Sequence, residues 1–110
     1  MATNFKNVIA KDIGTVRTPI YTTPAANNTT VLGLSLANTT DGVITASVLL
    51  GDGDGSVVAY LVKDMPIPPN STFKPFGKGE KMIMRADDVL YVESNLNDSV
   101  DVILSMVEIV

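Results

Sequence analysis

The chain of 110 residues has no cysteine, no histidine and no tryptophan. Without cysteine there is no disulfide, no thiolate nucleophile and no Cys-ligated metal, so stability has to come from packing or from partner chains. Without histidine a serine or threonine nucleophile lacks its usual base, and Ser-Lys chemistry has no motif here. Aromatics make up only 5% of the chain. Phe5, Tyr21, Tyr60, Phe73, Phe76 and Tyr91 are dispersed, whereas a carbohydrate-binding or single-strand-binding surface gathers several on one platform.

Charge is sparse as well, with 8 basic against 12 acidic residues and a net of −4. The lysines and arginines form no block, which argues against a nucleic-acid partner, whose phosphates require clustered cations. No apolar run approaches the ~20 residues that span a bilayer, so no membrane partner is expected. The opening MATNFKNVIAKDIG lacks the apolar centre of a signal peptide, which implies synthesis in a cytoplasm. Asn-x-Ser/Thr triplets at Asn28, Asn38, Asn70 and Asn97 are then read as turn residues, not glycan acceptors.

What remains is apolar and strongly punctuated: 45% hydrophobic, in short runs separated by Gly, Asn, Asp, Thr and Pro. This is the pattern of an antiparallel all-β chain. NVIAKDI (7–13) and VRTPIYT (16–22) are the first two strands, with Pro19 tolerable only at an edge or bulge because it has no N–H to donate. TVLGLSLAN (30–38) places Leu32, Leu34 and Leu36 on one face and Val31, Gly33 and Ser35 on the other. VITASVLL (43–50) turns Ile44, Ala46, Val48 and Leu50 one way and Thr45 and Ser47 the other. SVVAYLVKDM (56–65), apolar on both faces, is a central strand or a subunit contact, and PIPPNST (66–72) is a rigid corner. KMIMR (81–85) and VLYVES (89–94) read as a hairpin around ADD. In SVDVILSMVEIV (99–110), Val100, Val102, Leu104 and Met106 share one face, with Ile103, Val107 and Ile109 on the other.

No stretch has a sustained helical period with a cap in front. The fold class is therefore all-β: one antiparallel β-sandwich of about eight strands over residues 1–110, with a jelly roll among its arrangements and residues 1–12 available as an N-terminal arm.

Four stretches invite a chemical reading. Gly51-Asp52-Gly53-Asp54-Gly55 alternates oxygen ligands as a calcium loop does, continuing to Ser56. No glutamate follows at the right distance, so Asp52 and Asp54 are weak metal candidates and the plainer reading is a hairpin tip. Asp87 and Asp88 form a second acidic turn, where adjacent carboxylates exposed to water do not make an acid/base dyad. GKGEK (77–81) lacks the spacing of a phosphate loop and leads into a strand. The fourth feature is the surplus of apolar strand surface, which in an isolated chain would invite association. The residues expected at an assembly interface are Ile103, Val107 and Ile109 on the outer face of the last strand, with Phe5 and Val8 in the arm, the alternative being that they belong to the core. No catalytic residue and no cofactor is expected.

The order IYTTPAANNTTVLGLSLANTT (20–40), IPPNST (67–72), KGEKMIMRADDVLYVESN (78–95) and VDVILSMVEI (100–109) resembles small structural proteins of tailed bacteriophages, those of cyanophages most of all. The resemblance implies a compact β-sandwich that assembles, often as homotrimers, on a larger symmetric shell or tube. It implies a virion component made in the host cytoplasm, with itself and the major capsid protein or another virion protein as partners. Two placements follow from it: a capsid decoration (cement) protein, or a neck, tail or baseplate component. A β-sandwich glycan-binding module stands as a more distant alternative, and an enzyme further still.

Overall fold

A computed structural model describes residues 2–77 and 79–109. Nine strands are present among them: β1 (Thr3–Ile13), β2 (Thr18–Thr22), β3 (Asn28–Asn38), β4 (Ile44–Gly51), β5 (Val58–Ile67), β6 (Thr72–Phe73), β7 (Met82–Met84), β8 (Val89–Ser94) and β9 (Val100–Ile109). All described pairings are antiparallel. One sheet runs β1-β9-β3, with β6 and β7 both on the far edge of β3; the other runs β2-β8-β4-β5.

This order is that of a jelly roll, in which the chain passes back and forth between two sheets. Leu36 faces Phe73 and Val31 faces Met82, so β6 and β7 are two pieces of one edge strand running along β3. The interruption carries Pro75, Gly77 and Gly79, residues that leave a ladder readily. Counting the pieces as one gives the expected eight strands.

The core is aliphatic and lies between the sheets. Val100, Val102, Leu104 and Met106 of β9 face Ile44, Ala46 and Val48 of β4 and Leu90 and Val92 of β8 in one buried cluster. Both alternations read from the sequence for β4 and β9 hold. Pro19 sits at a register shift on the edge strand β2, where its missing N–H costs no ladder bond.

Three expectations give way. In β3 the register shifts between Val31 and Gly33, with two residues passing against one of β9. This bulge at Leu32 turns the alternation over, so Val31 joins Leu34 and Leu36 inside, while Leu32 is 41% exposed. Segment 56–65 is not central: β5 is an edge strand, and two register shifts against β4 explain why its apolar residues point to both sides. Finally, 81–85 and 89–94 do not form a hairpin. β7 pairs with β3 and β8 with β2 and β4, so the ADD turn carries the chain from one sheet to the other.

Loops at the ends tie the sheets together. Asn38, 2% exposed, holds the corner at 66–72: its Nδ2 lies 2.8, 3.0 and 3.1 Å from the carbonyls of Gly42, Ile67 and Pro68. Its Oδ1 accepts from the Thr40 amide at 2.9 Å and hydroxyl at 2.8 Å. At Gly14 a Cβ would lie 2.7 Å from Asn97 Oδ1 and 2.9 Å from Asn97 Cα, so only glycine lets the β1–β2 loop approach the β8–β9 loop.

The bulge at Leu32 predicts opposite outcomes for two chemically identical truncations. Leu34→Ala removes buried contacts and should lower unfolding free energy by about 2–5 kcal/mol, whereas Leu32→Ala should cost less than about 1 kcal/mol. Denaturant titration of the two variants checks it; equal losses would show that the alternation runs unbroken.

Candidate assembly surface

The acidic hairpin tip is a self-contained turn. The Asp52 amide donates to the Val57 carbonyl at 2.9 Å and the Gly55 amide to the Asp52 carbonyl at 3.0 Å, with Gly55 at φ 75°. Asp54 Oδ1 accepts from the Ser56 amide at 2.9 Å, and Asp52 accepts from the Ser56 hydroxyl at 3.3 Å and the Val57 amide at 3.3 Å. These contacts hold the Asp54 carboxyl down from 3.8 to about 2, the Ser56 side chain contributing most and its amide next. Gly53 sits against the second acidic turn, where a Cβ would lie 3.0 Å from Asp87 Cβ and 3.3 Å from the Ala86 carbonyl.

In that second turn Asp88 Oδ2 accepts from the Arg85 amide at 2.8 Å, and Asp87 takes a left-handed φ of 69° with its side chain exposed. The two acidic turns meet at one end of the sandwich. Among the described residues no three acidic side chains converge as a cation cage. Of GKGEK, Lys78 lies outside the described residues; around it the Glu80 amide donates to the Gly77 carbonyl at 3.2 Å, closing a turn.

A polar cluster that the composition did not announce is buried near the start of β1. Glu108, 6% exposed, accepts from the Tyr21 hydroxyl and pairs with Lys6 Nζ at 3.4 Å. Tyr21 Oη also contacts Thr29 Oγ1 at 3.0 Å, and the Thr23 hydroxyl donates to Thr29 Oγ1 at 3.3 Å. Lys6 Nζ lies 5.7 Å from the Tyr21 ring centre. A signal existed in the parity of β9: Glu108 follows Val100, Val102, Leu104 and Met106 on the inward phase. Burial, then the Glu108 carboxylate, raises the Tyr21 phenol above its ordinary 10.0.

The expected interface residues separate by the same parity. Phe5 pairs with Val107 and Ile9 with Ile103 across β1 and β9, and Thr3 with Ile109. Phe5, Ile103, Val107 and Ile109 therefore share the outer face of the five-stranded sheet. Val8, three residues from Phe5, points the other way and packs on the core; residues 3–12 of the possible arm lie along β9 as part of β1. Exposure on this face is large: Phe5 78%, Ile9 72%, Ile103 49%. Ile83 of β7 and the bulged Leu32 extend it across β3.

Charge is sparse on this face. The outward positions Thr3, Phe5, Asn7 and Ile9 of β1, Ile103, Ser105, Val107 and Ile109 of β9, and Thr30, Gly33 and Ser35 of β3 include no Asp, Glu, Lys or Arg, while Asp101 near one end of β9 and Lys74, which lines a shallow hollow with Gly33, Ser35, Ile103 and Ser105, bring one charge of each sign to it. The opposite sheet presents Lys63, Asp64 and Glu93, with Arg17 Nε 3.4 Å from Glu93 Oε1. The two outer faces thus differ: apolar side chains dominate β1 and β9 on one, while on the other charged residues stand beside the exposed Val58, Tyr60 and Leu61 of the edge strand β5.

Two titrations follow from these sites. Because the folded Tyr21 pKa is raised, its contribution is fully present below pH 10 and is lost as pH rises through the folded value. The denaturation midpoint should fall above pH 10 more steeply in the wild type than in Tyr21→Phe, a variant that itself costs about 1–3 kcal/mol by removing the buried donor to Glu108 and leaving it the half-exposed Lys6. The lowered Asp54 pKa works in the other sense: the turn is held above 3.8 and released as pH falls toward 2. The Ser56 amide resonance should titrate with a midpoint of about 2, and a midpoint at 3.8 would show that the turn contacts are not held in solution.

No protein-family model and no curated protein matches the chain. Among solved structures, the fold is similar to a chain from Bacillus endospore appendages, described as a family of disulfide-linked pili, with a TM-score of 0.59 at 10% identity over 97% of this chain and 85% of that one. It also matches a chain of the infectious bursal disease virus Gt strain, with a TM-score of 0.47 at 7% identity, covering 96% of this chain and 32% of that one. A chain of the infectious bursal disease virus VP2 subviral particle gives a TM-score of 0.33 at 15% identity over 96% and 41%. At these identities the likeness is one of fold.

Proposed function

We propose that the chain is a non-enzymatic structural subunit of a bacteriophage virion, a capsid decoration (cement) protein that associates with itself as a homotrimer and with the capsid shell. The observation that carries this reading is the apolar outer face of the β1-β9-β3 sheet, with Phe5, Ile9 and Ile103 exposed along β1 and β9. Fully burying a Phe or Ile side chain contributes roughly 1.5–3 kcal/mol, so Phe5, Ile9, Ile83 and Ile103 together supply an association surface. Part of that gain offsets the lost freedom of the partners, and repetition around a symmetric particle adds avidity.

The likeness to phage structural proteins in residues 20–40, 67–72, 78–95 and 100–109 supports the virion setting. The pilus fold neighbour is described as disulfide-linked; a chain with no cysteine has to associate without covalent links, which places more weight on apolar contact. The non-enzymatic reading rests on the missing histidine and on acidic turns whose carboxylates accept bonds from their own backbone. A neck, tail or baseplate component would use the same face against a ring, and the same particle experiment separates the two.

Mass spectrometry of separated heads and tails should find the chain with heads, and cryo-EM should place the β1-β9-β3 face against a neighbour. A chain that is monomeric and absent from particles would overturn the assignment, while recovery with tails would move it to the second placement. In isolation, light scattering should report a trimer that Phe5→Asp or Ile103→Lys converts to monomer, weakening association at least about tenfold. Their monomer stability should change by less than about 1 kcal/mol, since both side chains are exposed.

A further inference from the structure

The β2-β8-β4-β5 sheet carries a concavity that no part of the assembly reading uses. It holds about 160 Å³ and is lined by Thr45, Ser47, Tyr60, Lys63, Asp64, Glu93, Ser94 and Asn95. That volume is well beyond the roughly 10–15 Å³ needed to seat a single water, so the dent has room for a small ligand.

The dent arises from the backbone of β5. Between Ala46 and Val48 of β4, β5 carries an extra residue, and Asp64 takes a left-handed φ of 50°. This turns its amide onto Ser47 Oγ at 2.9 Å, while the Ser47 hydroxyl faces Asp64 Oδ1 at 3.4 Å. Asn95 is clamped from the other side: its Oδ1 accepts from the Thr45 amide at 2.9 Å and its own amide donates to the Thr45 carbonyl at 3.0 Å. With the oxygen so engaged, the Nδ2 group is the one turned to donate. Glu93 is held by Arg17 at 3.4 Å. Small residues of β4 make the floor, and the polar walls are fixed before any ligand arrives.

The lining discriminates among ligand classes. Its one apolar wall is the Tyr60 ring, so an aliphatic or aromatic ligand would leave the surrounding polar groups unpaired. Lys63 Nζ lies 5.3 Å from the Tyr60 ring centre, where its charge repels a cationic ligand. Lys63 offsets Asp64 and Arg17 offsets Glu93, so the site carries no net positive charge to attract an anion. What suits the site is a neutral ligand with alternating donors and acceptors and a flat C–H face: hydroxyls donating to Asp64 and Glu93, accepting from Asn95 Nδ2 and Lys63 Nζ, and a ring face against Tyr60. We propose that this concavity is a binding site for one neutral sugar ring. Because it lies on the sheet opposite the apolar face, docking through that face would leave it open; the site itself does not depend on the assembly reading.

The test is an amide NMR titration of the protein with glucose, galactose, mannose and N-acetylglucosamine, and with glucuronate and glucosamine as charged comparisons. At least one neutral sugar should shift the amides of Ser47, Lys63, Asp64, Glu93 and Asn95 with a dissociation constant on the order of 1 mM, typical of a single small site. Tyr60→Ala and Glu93→Gln should each weaken it at least about tenfold, and Tyr60→Phe should retain it; Tyr60 is 46% exposed and the Glu93 side chain 25% exposed, and the same spectrum reports whether each variant keeps the fold. No shift with any of the four neutral sugars, shifts undiminished in Tyr60→Ala and Glu93→Gln, or a response confined to a charged sugar would each overturn the proposal.

Discussion

The molecule depends on the strict two-residue alternation of β9. This strand lies between β1 and β3, so both its ladders are occupied and its side chains have no freedom of register. Its even residues from Val100 to Met106 form the floor of the core, and its odd residues from Ile103 to Ile109 form the outer face. The irregularities are absorbed by its neighbours: β1 carries its extra residue near Asp12, at φ 59°, and β3 carries one at Leu32. The second sheet repeats the rule. β4 and β8 pair without a break from Ala46 to Gly51, and the register shifts of β4 are taken up by the edge strand β5.

That division decides how much the sequence could tell. Strands held on both sides obey their local pattern, and for β4 and β9 the inward and outward residues could be read directly. A bulge inverts the pattern after it, and nothing in VLGLSL marks Leu32 as the residue that is passed over; the choice follows from the β9 register. Pairing partners are equally invisible, because a turn such as ADD can close a hairpin or cross between sheets with the same residues. The crossing here is set by Asp87 and Asp88 pairing with Thr23, whose amide donates to the Asp88 carbonyl at 2.9 Å and whose carbonyl accepts from the Asp87 amide at 2.9 Å.

Two features were legible by parity alone. Phe5 and Val8 are three apart, so on one strand they cannot share a face; only an irregular arm would have placed them together. Glu108 continues the inward phase of β9, and a carboxylate on that phase requires buried partners. Tyr21 and Lys6 supply them from two other strands, which no local pattern could name. The sugar-ring concavity is the opposite case: it owes its existence to a bulge, and its lining comes from three strands and the β8–β9 loop.

The asymmetry between the two outer faces follows from the same geometry. Each face of a sandwich is set by every second residue, so one chain can keep eleven uncharged positions on the β1-β9-β3 side while placing Arg17, Lys63, Asp64 and Glu93 on the other. A one-residue slip of β9 would exchange Leu104 and Met106 for Ile103 and Val107, and would also bring Glu108 out and Ile109 in, separating the carboxylate from Tyr21. The buried Glu108–Tyr21–Lys6 contact therefore acts as a register pin at the open end of the strand. Charge satisfied inside fixes which apolar residues remain outside, and so the most polar part of the interior specifies the most apolar part of the surface.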